Sequence, residues 1–128
     1  MASERLHITE LESRTITRAR GHMAYESLVR HLQDDQPIEI DLSGEQPLSL
    51  SFLDEIVRLL ADSGRLGQIT FVVDRPETLH KLGRVADVRQ VDFHVLEAGA
   101  KQRKTVERVP AARPETIVVG VKPTGAPP

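Results

Sequence analysis

The fold is decided by residues 37–64, which read PIEIDLSGEQPLSLSFLDEIVRLLADSG. In the first part of this stretch, apolar residues occupy every second position from Ile38 to Leu42, which is the spacing of a β-strand. In the second part, they recur at intervals of three or four from Phe52 to Leu60, which is the spacing of an amphipathic helix. The stretch therefore predicts a short strand, a tight connection and a helix.

The predicted helix has sequence signals at both ends. Ser51 can accept a hydrogen bond from an amide of the first turn, and Asp54 occupies the second position of a capping box. Gly64 follows the last periodic residue and is expected to end the helix. Because a helix start combines unpaired amides with the positive end of the dipole, we expect this end to be the functional surface.

The flanking sequence repeats the alternation of strand and helix. Three further strands are predicted, at 6–9, 68–73 and 91–95. Two further helices are predicted, one at about 20–33 and one that follows residue 74. The alternation predicts an α/β fold in which a mostly parallel or mixed sheet is covered by about three helices.

Both of these further helices have recognisable features. The first is expected to bury a stripe formed by Tyr25, Leu28, Val29 and Leu32. The second is expected to begin with Asp74 as its N-cap and with a proline in its first turn, where a missing amide costs little.

A change in composition after residue 97 divides the chain into two parts. Residues 1–98 are expected to form the α/β domain. Residues 99–128 are expected to form a basic, proline-containing tail that is flexible or forms one short strand at 116–121. The tail holds six basic and two acidic residues, so its net charge is +4 and the rest of the chain carries −6 of the total of −2.

The composition argues against several classes of protein. Without cysteine, the chain has no disulfide, no thiolate metal site and no cysteine nucleophile. No apolar run approaches the roughly 20 residues that a membrane helix needs, and the first residues do not resemble a signal peptide. We therefore expect a cytoplasmic protein without membrane association. One tyrosine and three phenylalanines, with a net charge of −2, make nucleic acid an unexpected partner.

The sequence also lacks the motifs of common catalytic sites. The five histidines are scattered, and no two of them have the spacing of metal ligands on one element. A glycine-rich phosphate loop and a Gly-x-Ser-x-Gly elbow are both missing from the sequence. We therefore expect no metal site, no cofactor and no enzymatic activity.

The candidate functional residues cluster around the start of the predicted helix. Ser51 and Ser49 are the candidate phosphoacceptors, although Ser51 can also be a simple helix cap and Ser49 an ordinary turn residue. Asp41 either binds a metal or a lysine or arginine of a partner, or it is solvated or bonds to amides of the turn that follows the strand. Asp54 and Glu55 are expected to be exposed and, with these residues, to form an acidic surface for a basic protein partner.

Residues 41–44 (DLSG) and 50–55 (LSFLDE) give the chain a resemblance to the STAS-like domain family, which extends over about residues 12–96. These domains are small relatives of the bacterial anti-sigma-factor antagonists. The resemblance implies a layered α/β domain that binds an anti-sigma kinase or a related ATP-binding protein as a regulatory switch. In the antagonists, a serine at this helix start is phosphorylated, and a gap-free alignment from the strand aspartate places it at Ser51.

The chain differs from the antagonists around this serine. Leu50 and Phe52 flank Ser51, where the antagonists have small residues and a glycine. Asp54 and Glu55 lie within the same turn and are expected to repel a phosphate.

A second hypothesis belongs to a different class of function. The chain would be a small-ligand or nucleotide sensor in which the helix start at residue 51 binds an anion. The helix dipole and the loop amides motivate this hypothesis, although the sequence places no lysine or arginine immediately beside them.

Overall fold

The computed structural model describes residues 4–32, 36–98 and, for the backbone, 104–106. Within these ranges the chain forms five strands, four α-helices and one 3-10 turn. In chain order they are β1 (Glu4–His7), α1 (Ile8–Leu11), α2 (Arg18–Val29), β2 (Ile38–Asp41), α3 (Leu50–Asp62), the 3-10 turn (Leu66–Gln68), β3 (Ile69–Val73), α4 (Pro76–Arg89), β4 (Phe93–Glu97) and β5 (Lys104–Val106).

The strands form one sheet in the order β1-β2-β3-β4-β5. The first four strands are parallel neighbours, and β5 pairs antiparallel with β4. Leu6, Ile40, Phe71 and Val95 stand side by side across the four parallel strands, and all four are buried. The predicted α/β fold with a mostly parallel sheet is therefore confirmed.

The helices pack on one face of this sheet. The buried row across β1 to β4 belongs to a hydrophobic cluster that also contains Phe52, Ile56 and Leu60 of α3 and Leu82 of α4. Successive strand residues point to opposite faces of the sheet. Val72 therefore points away from the helices, and although it is only 2% exposed, it lies outside that cluster. In the described part of the chain, the helices thus form one layer on this face of the sheet, with α3 at the centre of that layer.

The predicted end of α3 is confirmed by its backbone geometry. Gly64 has a φ of +74°, a left-handed conformation that favours glycine. Its amide donates to the carbonyl of Ala61 at 3.0 Å, and the amide of Arg65 donates to Leu60 at 2.9 Å. These two bonds form a Schellman motif, which satisfies carbonyls that the end of a helix leaves unpaired.

The first part of the chain differs from the prediction in two respects. β1 ends at His7, and the following residues form the short helix α1 instead of extending the strand. α2 starts at Arg18, because the hydroxyl of Thr17 accepts a hydrogen bond from the Arg20 amide at 3.1 Å, and it ends at Val29. The buried side of α2 follows Gly21, Ala24 and Leu28, so the prediction that Val29 is buried was wrong, and its side chain is 40% exposed.

The predicted N-cap of α4 was also wrong. Arg75 occupies the cap position without a capping side-chain bond, and Pro76 is in the first turn as expected. Asp74 instead accepts a hydrogen bond from the amide of Gly44 at 3.2 Å. Because Gly44 belongs to the connection between β2 and α3, this bond joins the two loops at the carboxyl edge of the sheet.

The carboxyl-terminal part of the chain contributes one strand to the sheet. β5 lies in the segment predicted as a tail, and its backbone extends the sheet beyond residue 98. The strand predicted at 116–121 lies outside the described residues. Among the helices that the structure describes, none has the length and apolar character needed to cross a lipid bilayer.

Candidate functional site at the amino end of α3

The connection between β2 and α3 begins with a turn that its own side chains stabilise. A carboxylate oxygen of Asp41 accepts a hydrogen bond from the Ser43 amide at 2.9 Å. The side-chain amide of Gln46 donates to the carbonyls of Leu42 and Ser43 at 3.1 and 2.9 Å. Asp41 therefore forms the turn bond that was one of its predicted roles.

Side chains from other elements hold the rest of this connection. Arg75 donates to the Gln46 carbonyl at 3.0 Å, and Lys81 of α4 donates to the Leu48 carbonyl at 2.7 Å. The hydroxyl of Thr15 donates to the carbonyl of Pro47, between these two carbonyls. Because these carbonyls are already bonded, the loop is held in one conformation. Binding of a partner here would therefore cost little conformational entropy.

Ser49 is the N-cap of α3. Its hydroxyl oxygen accepts a hydrogen bond from the Phe52 amide at 3.0 Å, and its proton is donated to the carbonyl of Ile16. The prediction that Ser51 caps the helix was therefore wrong, since α3 begins at Leu50. Ser51 lies in the first turn with its side chain exposed to solvent.

These different environments predict different effects of alanine substitution. Ser49→Ala is expected to lower the free energy of unfolding by about 1 kcal/mol, because the substitution removes the cap of α3. Ser51→Ala is expected to change it by less than about 0.5 kcal/mol, as is usual for an exposed residue. Urea denaturation of both variants measures the difference, and a larger loss for Ser51→Ala would contradict the assignment of the cap.

Asp54 is buried, and arginines from two other helices surround it. It is only 7% exposed. Arg89 of α4 donates to both carboxylate oxygens, at 2.8 and 2.5 Å, and Arg18 of α2 donates to one of them at 2.8 Å. The prediction that Asp54 is exposed was therefore wrong.

Glu55 has a similar environment and is 4% exposed, so its predicted exposure was wrong as well. Arg58, one turn later on α3, donates to its two carboxylate oxygens at 3.2 and 2.8 Å. Arg18 donates to it at 3.1 Å and thus bridges the two acids. We call this set of Arg18, Arg58, Arg89, Asp54 and Glu55 the arginine clamp.

The arginine clamp favours the ionised form of both of its acids. The hydrogen bonds from Arg89 lower the pKa of Asp54, and burial opposes this effect only in part. The hydrogen bonds from Arg58 lower the pKa of Glu55 in the same way. Three guanidinium groups therefore surround two carboxylates, and the acidic surface expected from the sequence is replaced by a network in which both acids are paired with arginines.

A groove of about 200 Å³ lies between α3 and α4, next to the clamp. The residues that line this α3–α4 groove are Arg18, Leu50, Ser51, Asp54, Arg84, Val85 and Val88. Leu50 is 37% exposed and Val88 is 68% exposed, so both apolar side chains face solvent at its margins. The groove therefore brings Ser51 together with exposed apolar side chains and arginines.

Sequence reasoning missed the residues that α4 contributes to this groove. These residues are Arg84, Val85 and Val88, and since Val88 follows the other two by four and three positions, all three share one side of α4. That spacing was visible in the sequence. Their proximity to Asp54 depends on how α4 packs against α3, which no local pattern specifies.

The described part of the chain contains no group of three or more histidine, aspartate or glutamate residues that could hold a metal ion. Comparison with known proteins found no matching family model, curated protein or solved structure. The resemblance of residues 12–96 to STAS-like domains therefore stays a prediction from the sequence.

Proposed function

We propose that the chain is a non-enzymatic protein-interaction module whose partner binds the amino end of α3. One observation carries this proposal: exposed Leu50 at the start of α3 and exposed Val88 of α4 line one groove with Ser51, and the loop before α3 is already held in place. Apolar side chains that are grouped at a surface groove are typical of interaction sites. A partner would bury them without having to order the loop.

The resemblance to the antagonists supports a more specific form of this proposal. The partner would be an anti-sigma kinase or a related ATP-binding protein in the cytoplasm, and Ser51 would be the phosphoacceptor. Ser51 suits this role better than Ser49, because the Ser49 hydroxyl already donates and accepts a hydrogen bond. The clamp arginines also offset the repulsion between a phosphate and the two buried acids. Phosphate-affinity electrophoresis of the native protein, with Ser51→Ala as the control, tests this assignment.

Site-specific photocrosslinking in the native cell tests the proposed surface. A photoreactive amino acid at position 50 is expected to give a discrete adduct with one protein. The same amino acid at position 62, at the other end of α3, where Asp62 is 66% exposed, is expected to give none. Identical adducts from both positions, or no adduct from position 50, would reject this face.

The second candidate function is a sensor of small anionic ligands. The observation in its favour is that Arg18 and Arg84 line the groove beside Ser51, which supplies the cations that the sequence did not place there. However, the groove of about 200 Å³ is smaller than the roughly 300–1,000 Å³ that is usual for small-molecule sites. Its size is therefore better suited to side chains of a partner. Thermal stabilisation by nucleotides that is lost in Arg84→Ala would favour the sensor instead.

A further inference from the structure

The charges along the α3–α4 groove are not balanced. Two arginines, Arg18 and Arg84, line it against a single carboxylate, that of Asp54. Asp54 already accepts hydrogen bonds from Arg18 and Arg89. The side chain of Arg84 is exposed and forms no hydrogen bond or ion pair with another residue that the structure describes. The groove therefore presents a guanidinium that is available to an external anion.

Apolar surface lies directly beside this guanidinium. Val85 is 1% exposed and belongs to the core, whereas Val88, one turn further along α4, is 68% exposed. Leu50, from the first turn of α3, is 37% exposed and lines the same groove. An occupant that places one apolar side chain among these residues would remove apolar surface from water on both sides.

We propose that the groove binds an acidic segment of a partner protein that carries an apolar anchor. This inference rests on the proposed function and specifies the chemistry of the partner. An aspartate or glutamate of the segment pairs with Arg84, whose planar guanidinium can bind a carboxylate through two parallel hydrogen bonds. A leucine, isoleucine or phenylalanine of the segment packs between Leu50 and Val88.

This partner has the opposite charge to the one that the sequence predicts. The sequence places the acids Asp54 and Glu55 at the surface and therefore predicts a basic partner. In the folded chain both acids are buried and bonded to arginines, and the exposed charges of the groove are those of Arg84 and of the partly exposed Arg18. Charge complementarity therefore selects an acidic partner segment.

Selection from a library of short random peptides tests this chemistry while the partner itself is still unidentified. Peptides selected on the full chain are expected to be enriched in aspartate or glutamate next to a leucine, isoleucine or phenylalanine. For a synthetic peptide of the selected sequence, Arg84→Glu is expected to weaken binding by about ten-fold or more. Arg30→Glu, the same change of charge at the opposite end of α2 from Arg18, is expected to leave affinity within about two-fold.

The variants make the possible outcomes distinct. Val88→Asp is expected to weaken binding of the peptide, because it places a negative charge where the apolar side chain of the peptide packs. Arg84→Ala removes the positive charge without adding a glutamate and so controls for damage to the fold of α4. Selection of basic peptides, absence of any enrichment, or an unchanged affinity in both Arg84 variants would overturn the acidic occupant. If the crosslinked adduct at position 50 were still found, the proposed function would stand and only the partner chemistry would be rejected. If position 50 gave no adduct either, the crosslinking result would by itself reject the proposed interaction surface.

Discussion

Gly21→Ala is expected to lower the free energy of unfolding by about 2 kcal/mol, whereas Gly83→Ala is expected to raise it by about 0.5–1 kcal/mol. Both glycines lie inside helices, Gly21 in α2 and Gly83 in α4. In the interior of a helix, alanine is favoured over glycine by up to about 1 kcal/mol. The two substitutions therefore share the same gain in helix propensity. The expected changes in the free energy of unfolding have opposite signs because the two glycines have different surroundings.

The surroundings of Gly21 leave no room for a side chain. A β-carbon on Gly21 would lie 2.6 Å from the backbone carbonyl oxygen of Phe52 and 3.0 Å from the β-carbon of Glu55. The carbonyl belongs to α3, whose residue Phe52 is fully buried, so relief of the overlap requires the two helices to separate. A β-carbon on Gly83 would meet no other atom within 4 Å.

Chemical denaturation of the two variants and the unchanged protein measures both effects under the same conditions. If m, the slope of the unfolding free energy against denaturant concentration, stays constant, differences in the denaturation midpoint can be read as changes in stability. Stabilisation by Gly21→Ala would mean that α2 and α3 do not approach as closely as described. Destabilisation by Gly83→Ala would mean that its side of α4 is covered.

The close approach at Gly21 also explains how the arginine clamp is assembled. Arg18 lies one turn before Gly21 on α2, and it reaches both Asp54 and Glu55 of α3. Arg89 reaches Asp54 from α4. The clamp therefore links three helices, and its position next to the α3–α4 groove ties the geometry of the groove to the packing of α2 on α3.

Features that depend on local patterns could be predicted from the sequence. The alternation of Ile38, Ile40 and Leu42 identified β2, and these three side chains are buried. The position of Gly64 identified the end of α3, because a left-handed residue is needed at that point of the chain. In both cases the determining residues lie within a few positions of the feature that they specify.

Features that depend on distant residues could not be predicted. The sequence predicts Ser51 as the cap and Ser49 as a phosphoacceptor or turn residue, whereas the cap is Ser49, whose hydroxyl donates its proton to the distant Ile16 carbonyl. Asp54 and Glu55 were predicted to be exposed because the sequence of α3 does not indicate that Arg18 and Arg89 of other helices lie next to them. The burial of Asp54 depends on cations from two other helices, and their positions follow only from the tertiary packing.

Asp54→Asn is expected to lower the free energy of unfolding by about 2 kcal/mol near neutral pH. The substitution keeps the size of the side chain but removes the negative charge that faces Arg18 and Arg89. Loss of one partner from a fully buried ion pair costs about 3–5 kcal/mol. The expected loss is smaller here because the two arginine side chains are 48% and 32% exposed, so water can solvate them after the substitution.

The pH dependence of stability separates the charge of Asp54 from its shape. Because the hydrogen bonds from Arg89 lower the pKa of Asp54 in the folded state, folding favours the ionised form. This contribution is fully present above the ordinary pKa of about 3.9, and it is lost as the pH falls through the lowered pKa of the folded state. The unsubstituted protein is therefore expected to lose stability below about pH 4, and the difference from Asp54→Asn is expected to shrink over the same range.

Asp62→Asn on the same helix is the matched control, since Asp62 is 66% exposed and forms its ion pair with Arg58 at 3.3 Å. An exposed pair of this kind contributes little, so no measurable change is expected. A difference between Asp54→Asn and the unsubstituted protein that stays constant with pH would assign the effect to shape instead of charge.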